Sequence, residues 1–321
     1  MRAGEPRPST VTVTHARNER PPATDRRTGA LCLLLTSAGW GLNWPVMKSL
    51  IRELPPLFAR GTAGMAAAIG FALVAIALGQ RLRVEPRALP RLTWAAFLNV
   101  FAWMGLSTLA LRWLTVGQSV LLVYTMPIWA MLFAWPVSGQ RPSGRAVAGL
   151  ALSMLGLWAM FGGGGLVLDA DRLLGGALAL GAAVLFALGT VTLVPIDGLQ
   201  PFALLAWQVG LGCAPMLVLG LIFEPLALDG VSMRGWLSML YVSLVPMGLC
   251  YLTWFAALRR LPATIASIGM LLTPMIGVVS AAAMLGEPFG MREALALLLT
   301  LGGVAFVIGR RAEHTGPDGR A

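Results

Sequence analysis

The segment ALRRLPATIASIGMLLTPMIGVVSAAAMLGEP (residues 257–288) decides the fold, because its pattern has already occurred once earlier in the chain. Sliding the chain by 147 residues lays ALRWL (110–114) on ALRRL (257–261). Without a gap, Pro127 then meets Pro274, Gly139 meets Gly286, Arg145 meets Arg292 and Gly156 meets Gly303. Apolar sequence produces chance Leu and Ala matches readily. Arg, Pro and Gly matched in a single frame mark an internal repeat, which sets the architecture before any one element does.

The repeat is built of membrane-length apolar runs. Mean hydropathy is +0.76, and 57% of residues are hydrophobic against 12% charged, where soluble domains carry roughly 25% charged residues. Runs of about 19–25 residues match ~30 Å of hydrocarbon at about 1.5 Å rise per residue. Ten spans can be drawn: 30–48, 55–79, 93–111, 117–137, 144–162, 173–194, 201–223, 236–257, 263–285 and 291–309. Turn signals such as Pro55-Pro56, Pro142, Gly162–Gly165, Pro201, Pro225 and Pro288 separate them. Five helices per copy is an odd number, so the second copy must cross the membrane in the opposite sense. Such inverted repeats go with alternating access around a midplane site. The expected fold is all-α, a polytopic membrane protein with ten transmembrane helices as two inverted five-helix repeats. The repeats occupy 30–162 and 172–310, joined by a loop at 163–171 and flanked by tails at 1–29 and 311–321. No small-residue cleavage site follows the first run, which reads as a retained helix rather than a signal peptide.

A net charge of +10 raises the question of nucleic acid, and the placement of the charge answers it. Arg2, Arg7, Arg17, Arg20, Arg26 and Arg27 precede the first span in a polar segment with no aromatic ring to stack on a base. A cytoplasmic tail that orients the first helix explains them. With both termini inside, only Lys48, Arg52, Arg60, Arg112, Arg172, Arg234 and Arg292 of the 24 Lys and Arg fall outside, the bias of an N-in, C-in protein with an even number of spans. His15 and His314 lie in the tails and Cys32, Cys213 and Cys250 in apolar runs, so no metal site or cofactor is expected. No GxxxxGK[ST] loop is present, and transport would draw on a gradient or exchange, with a proton or another ion as coupling partner. The spans hold no His and no clear Asp/Glu pair, which argues against an intramembrane enzyme.

At these residues the sequence resembles the EamA-type repeat of the drug/metabolite transporter superfamily. The resemblance covers about 30–310 in two copies. It is clearest at 257–288, and GWGLNWPVMK at 39–48 is similar to the family's first helix. It implies ten helices, a central cavity and transport of amino acids, sugars, nucleotide derivatives or small toxic organics. By resemblance, efflux of amino acids or related metabolites comes first and uptake or exchange second, in a bacterial inner membrane. A non-transporting scaffold or sensor subunit is the reading from a different class. The sequence departs from the family pattern at Gln140, where the second copy keeps Glu287, and Asn43 has no obvious partner in the sixth helix.

Interior polar and aromatic residues are the candidates for a substrate cavity. Asn43, flanked by Trp40, Trp44 and Pro45, must face a cavity or hydrogen-bond a neighbouring helix, since an amide in hydrocarbon cannot go unsatisfied. Pro127 and Pro274 are expected to kink their helices mid-span, as static packing features or as flexing points beside the cavity. Tyr124, Thr125, Met270 and Thr273 lie within one turn of those prolines and are the preferred lining residues. Thr264 and Ser267 read as small packing residues. Trp103, Trp207 and Gln208 sit inside spans rather than at water interfaces, where they form either an amphipathic cavity wall or packed core. Lys48, the single lysine, reads first as a snorkelling interfacial anchor, with a substrate or gating contact as the alternative; Glu287, Arg112 and Arg259 read as interfacial. Gly149, Gly156, Gly181 and Gly303 permit close helix contact, within the fold or between protomers, and leave the oligomeric state open.

Overall fold

The computed structural model of the protein describes residues 23–139, 144–162, 169–193, 196, 198–262, 265–266 and 269–308. Among them the secondary structure is helical throughout: α1 (Ala23–Leu50), α2 (Pro56–Ala77), α3 (Leu89–Ala110), α4 (Val116–Val123), α5 (Met126–Ser138), α6 (Gly144–Gly162), α7 (Ala170–Thr192), α8 (Pro201–Phe223), α9 (Met233–Leu258), α10 (Leu272–Leu285) and α11 (Met291–Ile308). Seven stretches among the described residues are long and apolar enough to cross a membrane, namely α1, α2, α3, α4 with α5, α7, α8 and α9. Large apolar side chains such as Leu73, Ile222, Leu237 and Leu298 are exposed on the outside of the bundle, as a lipid-facing surface requires. Gln140, Thr264, Ser267, Gly163–Gly165, 311–321 and most of the 1–29 segment lie outside the described residues. Residues 23–29 already belong to α1, which starts ahead of the expected 30; Asp25 stands in its first turn, where a carboxylate is favoured by the helix dipole.

The 147-residue register reappears in the backbone. Gly139 closes α5 at φ +70° and Gly286 closes α10 at φ +67°, a left-handed cap that carries no Cβ penalty at glycine. Both α3 and α9 contain a π-helical stretch, Phe97–Leu106 in one and Val245–Leu249 in the other. Such widened turns redirect side chains and recur at functional sites.

Pro127 and Pro274 correct the expectation of mid-helix kinks. Turns at 124–125 and 270–271 interrupt the span, and the prolines stand in the first turn of the helices that restart there, α5 and α10. A first-turn N–H has no intrahelical acceptor, so proline loses nothing at that place and stabilises the restart.

The halves interlock. Helix α1 packs on α9 and α10 of the second half, while α7 packs on α3 and α5 of the first; α2 pairs with α8, and α6 with α11. A Cβ on Gly156 would sit 2.4 Å from Thr300 Oγ1, and one on Gly303 2.5 Å from the Gly149 carbonyl. Two small residues therefore let α6 and α11 approach backbone to backbone. Between them Ser153 Oγ donates to the Thr300 carbonyl at 3.1 Å, across a separation equal to the repeat register. Capping is reciprocal too. Gln80, just after α2, accepts from the Ala203 N–H at the start of α8 (3.2 Å), and Glu224, just after α8, accepts from the Leu57 and Phe58 N–H groups at the start of α2 (3.1 and 2.9 Å).

Candidate functional site: a cavity between the two halves

A cavity of about 640 Å³ lies where the halves meet. Its walls come from α1, α2, α3, the α4–α5 break, α7, α9, the turn before α10 and α11. The π-helical stretches reach it from opposite halves, through Asn99 and Trp103 on α3 and through Pro246 and Met247 on α9. Six of the residues singled out in the sequence border it: Trp40, Asn43, Trp103, Tyr124, Pro127 and Met270. Tyr124 closes α4 as its C-cap residue, and the α4–α5 break turns its hydroxyl toward Thr273 and the Trp44 indole.

The other five stand elsewhere. Thr125 is fully buried; its Oγ1 donates to the Leu122 carbonyl (2.6 Å) and accepts from Trp129 Nε1 (3.2 Å). Thr273 and Pro274 pack in the interior behind the cavity wall. Trp207 donates from Nε1 to the Leu82 carbonyl at 2.8 Å, fastening the chain that follows α2, and its neighbour Gln208 is likewise absent from the lining. Depth along a span does not reveal which face of the helix a side chain occupies.

The aromatic part of the wall is organised around Trp40. Its Nε1 donates to the Pro246 carbonyl at 2.8 Å, a carbonyl within the π-helical stretch of α9. Its ring meets Tyr251 edge-on at 5.6 Å and Trp254 at 6.1 Å. Across the cavity Trp103 lies against Phe186 at 4.7 Å. Asn43 Oδ1 and Asn99 Oδ1 are buried, with no hydrogen-bond partner among the described residues. Asn99 fits only because Gly189 lacks a side chain, since a Cβ there would overlap its Oδ1.

Sequence reasoning missed Arg60. Counted among the outer-side charges, it is only 6% exposed and borders the cavity, with Nε donating to Thr108 Oγ1 at 3.0 Å. The available signal was its position inside the 55–79 run rather than beside it.

Lys48 and Glu287 are corrected from interfacial groups to a mutual ion pair. Lys48 Nζ lies 3.3 Å from Glu287 Oε1, with side chains 16% and 11% exposed. Glu287 also accepts from the Val116 N–H at the start of α4 (2.8 and 3.1 Å), and Lys48 donates to the Leu114 carbonyl. The end of α1, the start of α4 and the segment after α10 are thus pinned at one point. At the opposite end of α1, Arg260 Nε donates to Asp25 Oδ1 at 2.9 Å, with both side chains about a third exposed.

Comparison with known proteins places this geometry. An uncharacterized transporter, YoaV, of Bacillus subtilis is 25% identical over 276 residues, covering 85% of this chain and 94% of its own. A probable amino-acid metabolite efflux pump of Salmonella typhimurium is 27% identical over 303 residues, covering 90% and 98%. A probable terminal-alkyne amino-acid exporter of Streptantibioticus cattleyicolor is 25% identical over 308 residues, covering 90% and 97%. A solved crystal structure superposes with a TM-score of 0.62 at 18% identity, over 92% of this chain and all of the other, which establishes the shared fold. The model of the EamA-like transporter family matches residues 27–162 and again 173–309. With two such matches spanning most of its length, the chain is a multi-pass membrane protein that belongs to the EamA-like transporter family.

Proposed function

We propose that this protein is a gradient-driven secondary transporter that exports amino acids or related small metabolites by alternating access. The observation that carries the reading is the cavity of about 640 Å³ between two interlocked repeats, lined by amides and a guanidinium from the first half and by aromatic rings from both. A cavity at the interface of related halves is where a rocking motion would expose a bound molecule to one side and then the other. The buried Lys48–Glu287 pair is the contact such a motion would break at one end, and the partly exposed Asp25–Arg260 pair at the other. Export of amino-acid metabolites is favoured by two relatives whose names carry that activity. In this reading the chain makes ten spans in two inverted sets of five, α4–α5 and the segment through α10 each crossing once, with both termini on the cytoplasmic side of a bacterial inner membrane. Its partners are a small-molecule substrate, the lipid bilayer and a proton or other coupling ion.

The test is counterflow in proteoliposomes of the full-length protein, preloaded with unlabelled amino acids and challenged with the labelled form. Accumulation above empty vesicles, abolished in Asn43→Ala, is expected. Efflux is supported if the rate rises when the coupling gradient opposes uptake; a rate that follows an inward gradient points to uptake or exchange instead. No flux of any amino acid, sugar or nucleotide above leak overturns the transporter reading and leaves a scaffold or sensor.

A further inference from the structure

Arg60 is a cation buried in the protein, and among the described residues no carboxylate pairs with it. The ion pairs among the described residues are Lys48–Glu287 and Arg260–Asp25, and neither Asp nor Glu borders the cavity. The guanidinium spends its Nε on Thr108 Oγ1 at 3.0 Å, while its terminal nitrogens make no hydrogen bond among the described residues. A charge so deeply buried with no opposite charge beside it is costly, and ionisable groups at membrane depth that face a cavity mark substrate or ion pathways.

We infer that Arg60 is the counter-charge for the anionic end of the molecule this cavity binds, and that the ligand is a monocarboxylate carrying an apolar or aromatic tail. The inference rests on the transporter reading for its cavity and goes beyond it in naming a residue, a charge and an orientation. One guanidinium with an open planar edge matches one carboxylate in two parallel hydrogen bonds; a phosphate dianion would call for further positive charge, which the lining does not hold. Ser107, next to Thr108 on α3, also borders the cavity, its hydroxyl donating to the Met104 carbonyl at 3.3 Å. On the same cavity, the cluster of Trp40, Tyr251 and Trp254, with ring centroids 5.6 and 6.1 Å from Trp40, provides flat apolar faces for the tail. With no carboxylate among the described lining residues, a free ammonium on the ligand contributes little, so recognition turns on the acid.

Thermal stabilisation of the full-length, detergent-purified protein tests this with three probes that share a phenyl tail: 3-phenylpropionate, phenylalanine and 2-phenylethylamine. Ligands that bind the folded form raise its apparent stability by mass action. Both acids are expected to stabilise the wild type and the amine is not. Arg60→Gln should weaken both acids by about tenfold or more, and Arg60→Lys, which keeps the charge and loses the fork, by a smaller factor. The wild-type ranking alone decides the matter should Arg60→Gln fail to fold. The inference is overturned by an amine that binds as tightly as the acids, by neither acid binding the folded wild type, or by a folded Arg60→Gln with unchanged acid affinity. Flux in proteoliposomes separates the two readings. Acids that bind through Arg60 without being transported sink the transporter and keep the site; transport of a cationic or neutral probe with no acid bound sinks the site and keeps the transporter.

Discussion

At the cavity the first half of the chain presents Asn99, Ser107 and Tyr124, and the second half, 147 residues further on, presents Pro246, Trp254 and Leu271 at the equivalent places. Met104 is answered in the same way by Tyr251. All eight face the same space, so the halves share a backbone plan and divide the chemistry. The glycine caps, π-helical stretches, first-turn prolines and α6–α11 crossing are common property and set the two-fold framework. The side chains then break the symmetry: the amides of Asn43 and Asn99 and the Arg60 guanidinium come from the first half alone, while both halves supply rings. A symmetric framework allows two related end states of similar energy, while an asymmetric lining holds a bound molecule one way round.

The ends of the fourth crossings differ too, and there the largest effect is expected. Glu287 holds Lys48 and the start of α4, whereas the first copy has Gln140 at that register. Glu287→Gln makes the second copy read like the first. It leaves the Val116 N–H an acceptor but strands the Lys48 ammonium, and breaking a buried pair in this way costs about 3–5 kcal/mol. Unfolding of the purified protein should show that loss, and adding Lys48→Met should recover most of it, because the two changes are coupled. A single mutant within about 0.5 kcal/mol of wild type would mean the pair carries no strain-bearing role.

Next comes the shared framework itself. Gly156→Val and Gly303→Val each press a side chain onto the backbone of the partner helix, near the Ala296 carbonyl in one case and the Gly149 carbonyl in the other. Backbone cannot swing aside as a side chain can, so each should lose about 1–3 kcal/mol or more, by similar amounts if the two-fold relation is real. Thermal unfolding of both variants checks this; a loss at one position alone would break the symmetry argument.

The framework was legible in the sequence because it depends on residue types that act locally. Gly139 and Gly286 cap by their own φ, and Pro127 and Pro274 act on their own helix, so the matched pairs found in the chain are matched in space. The site was legible only in part. Hydropathy reports how deep a residue lies along a span and is silent on its facing, which is why it left Trp207 between cavity wall and packed core, where it holds Leu82, and counted among the outer-side charges an Arg60 that lies in the wall. Lys48 resembles a lipid anchor until a partner more than two hundred residues away is brought beside it.

A smaller effect probes the polar wall. Tyr124→Phe removes the hydroxyl that faces Thr273 and Trp44 and leaves the ring in place, moving this position toward its apolar equivalent Leu271. Losing one neutral hydrogen bond is worth about 1 kcal/mol, or about a fivefold weaker phenylalanine affinity, read by the same thermal-shift titration with unliganded stability little changed. An unaltered affinity would show that the hydroxyl orders the wall and does not touch the ligand.

The smallest effect lies outside the membrane, where the halves meet in the loop before α2. Glu53 accepts from the Ser232 Oγ at 2.9 Å and the Ser232 N–H at 2.8 Å, and these bonds to its charged form hold the carboxyl below its ordinary value. A carboxyl depressed in the folded state adds stability that is fully present above the unfolded pKa of about 4.3 and is lost as pH falls through the lower folded value. Glu53→Gln keeps an acceptor for Ser232 and removes the titration. The stability of wild type relative to this variant should therefore be constant near neutrality and shrink on acidification below about 4.3, by a small amount because the group is exposed and solvent screens it. Melting curves of the two proteins recorded side by side from neutral pH downward measure that difference. A gap that stays level through the acid range would mean that the loop contact does not join the halves in solution, leaving the Asp25–Arg260 pair and the reciprocal caps at Gln80 and Glu224 as the surface ties between them.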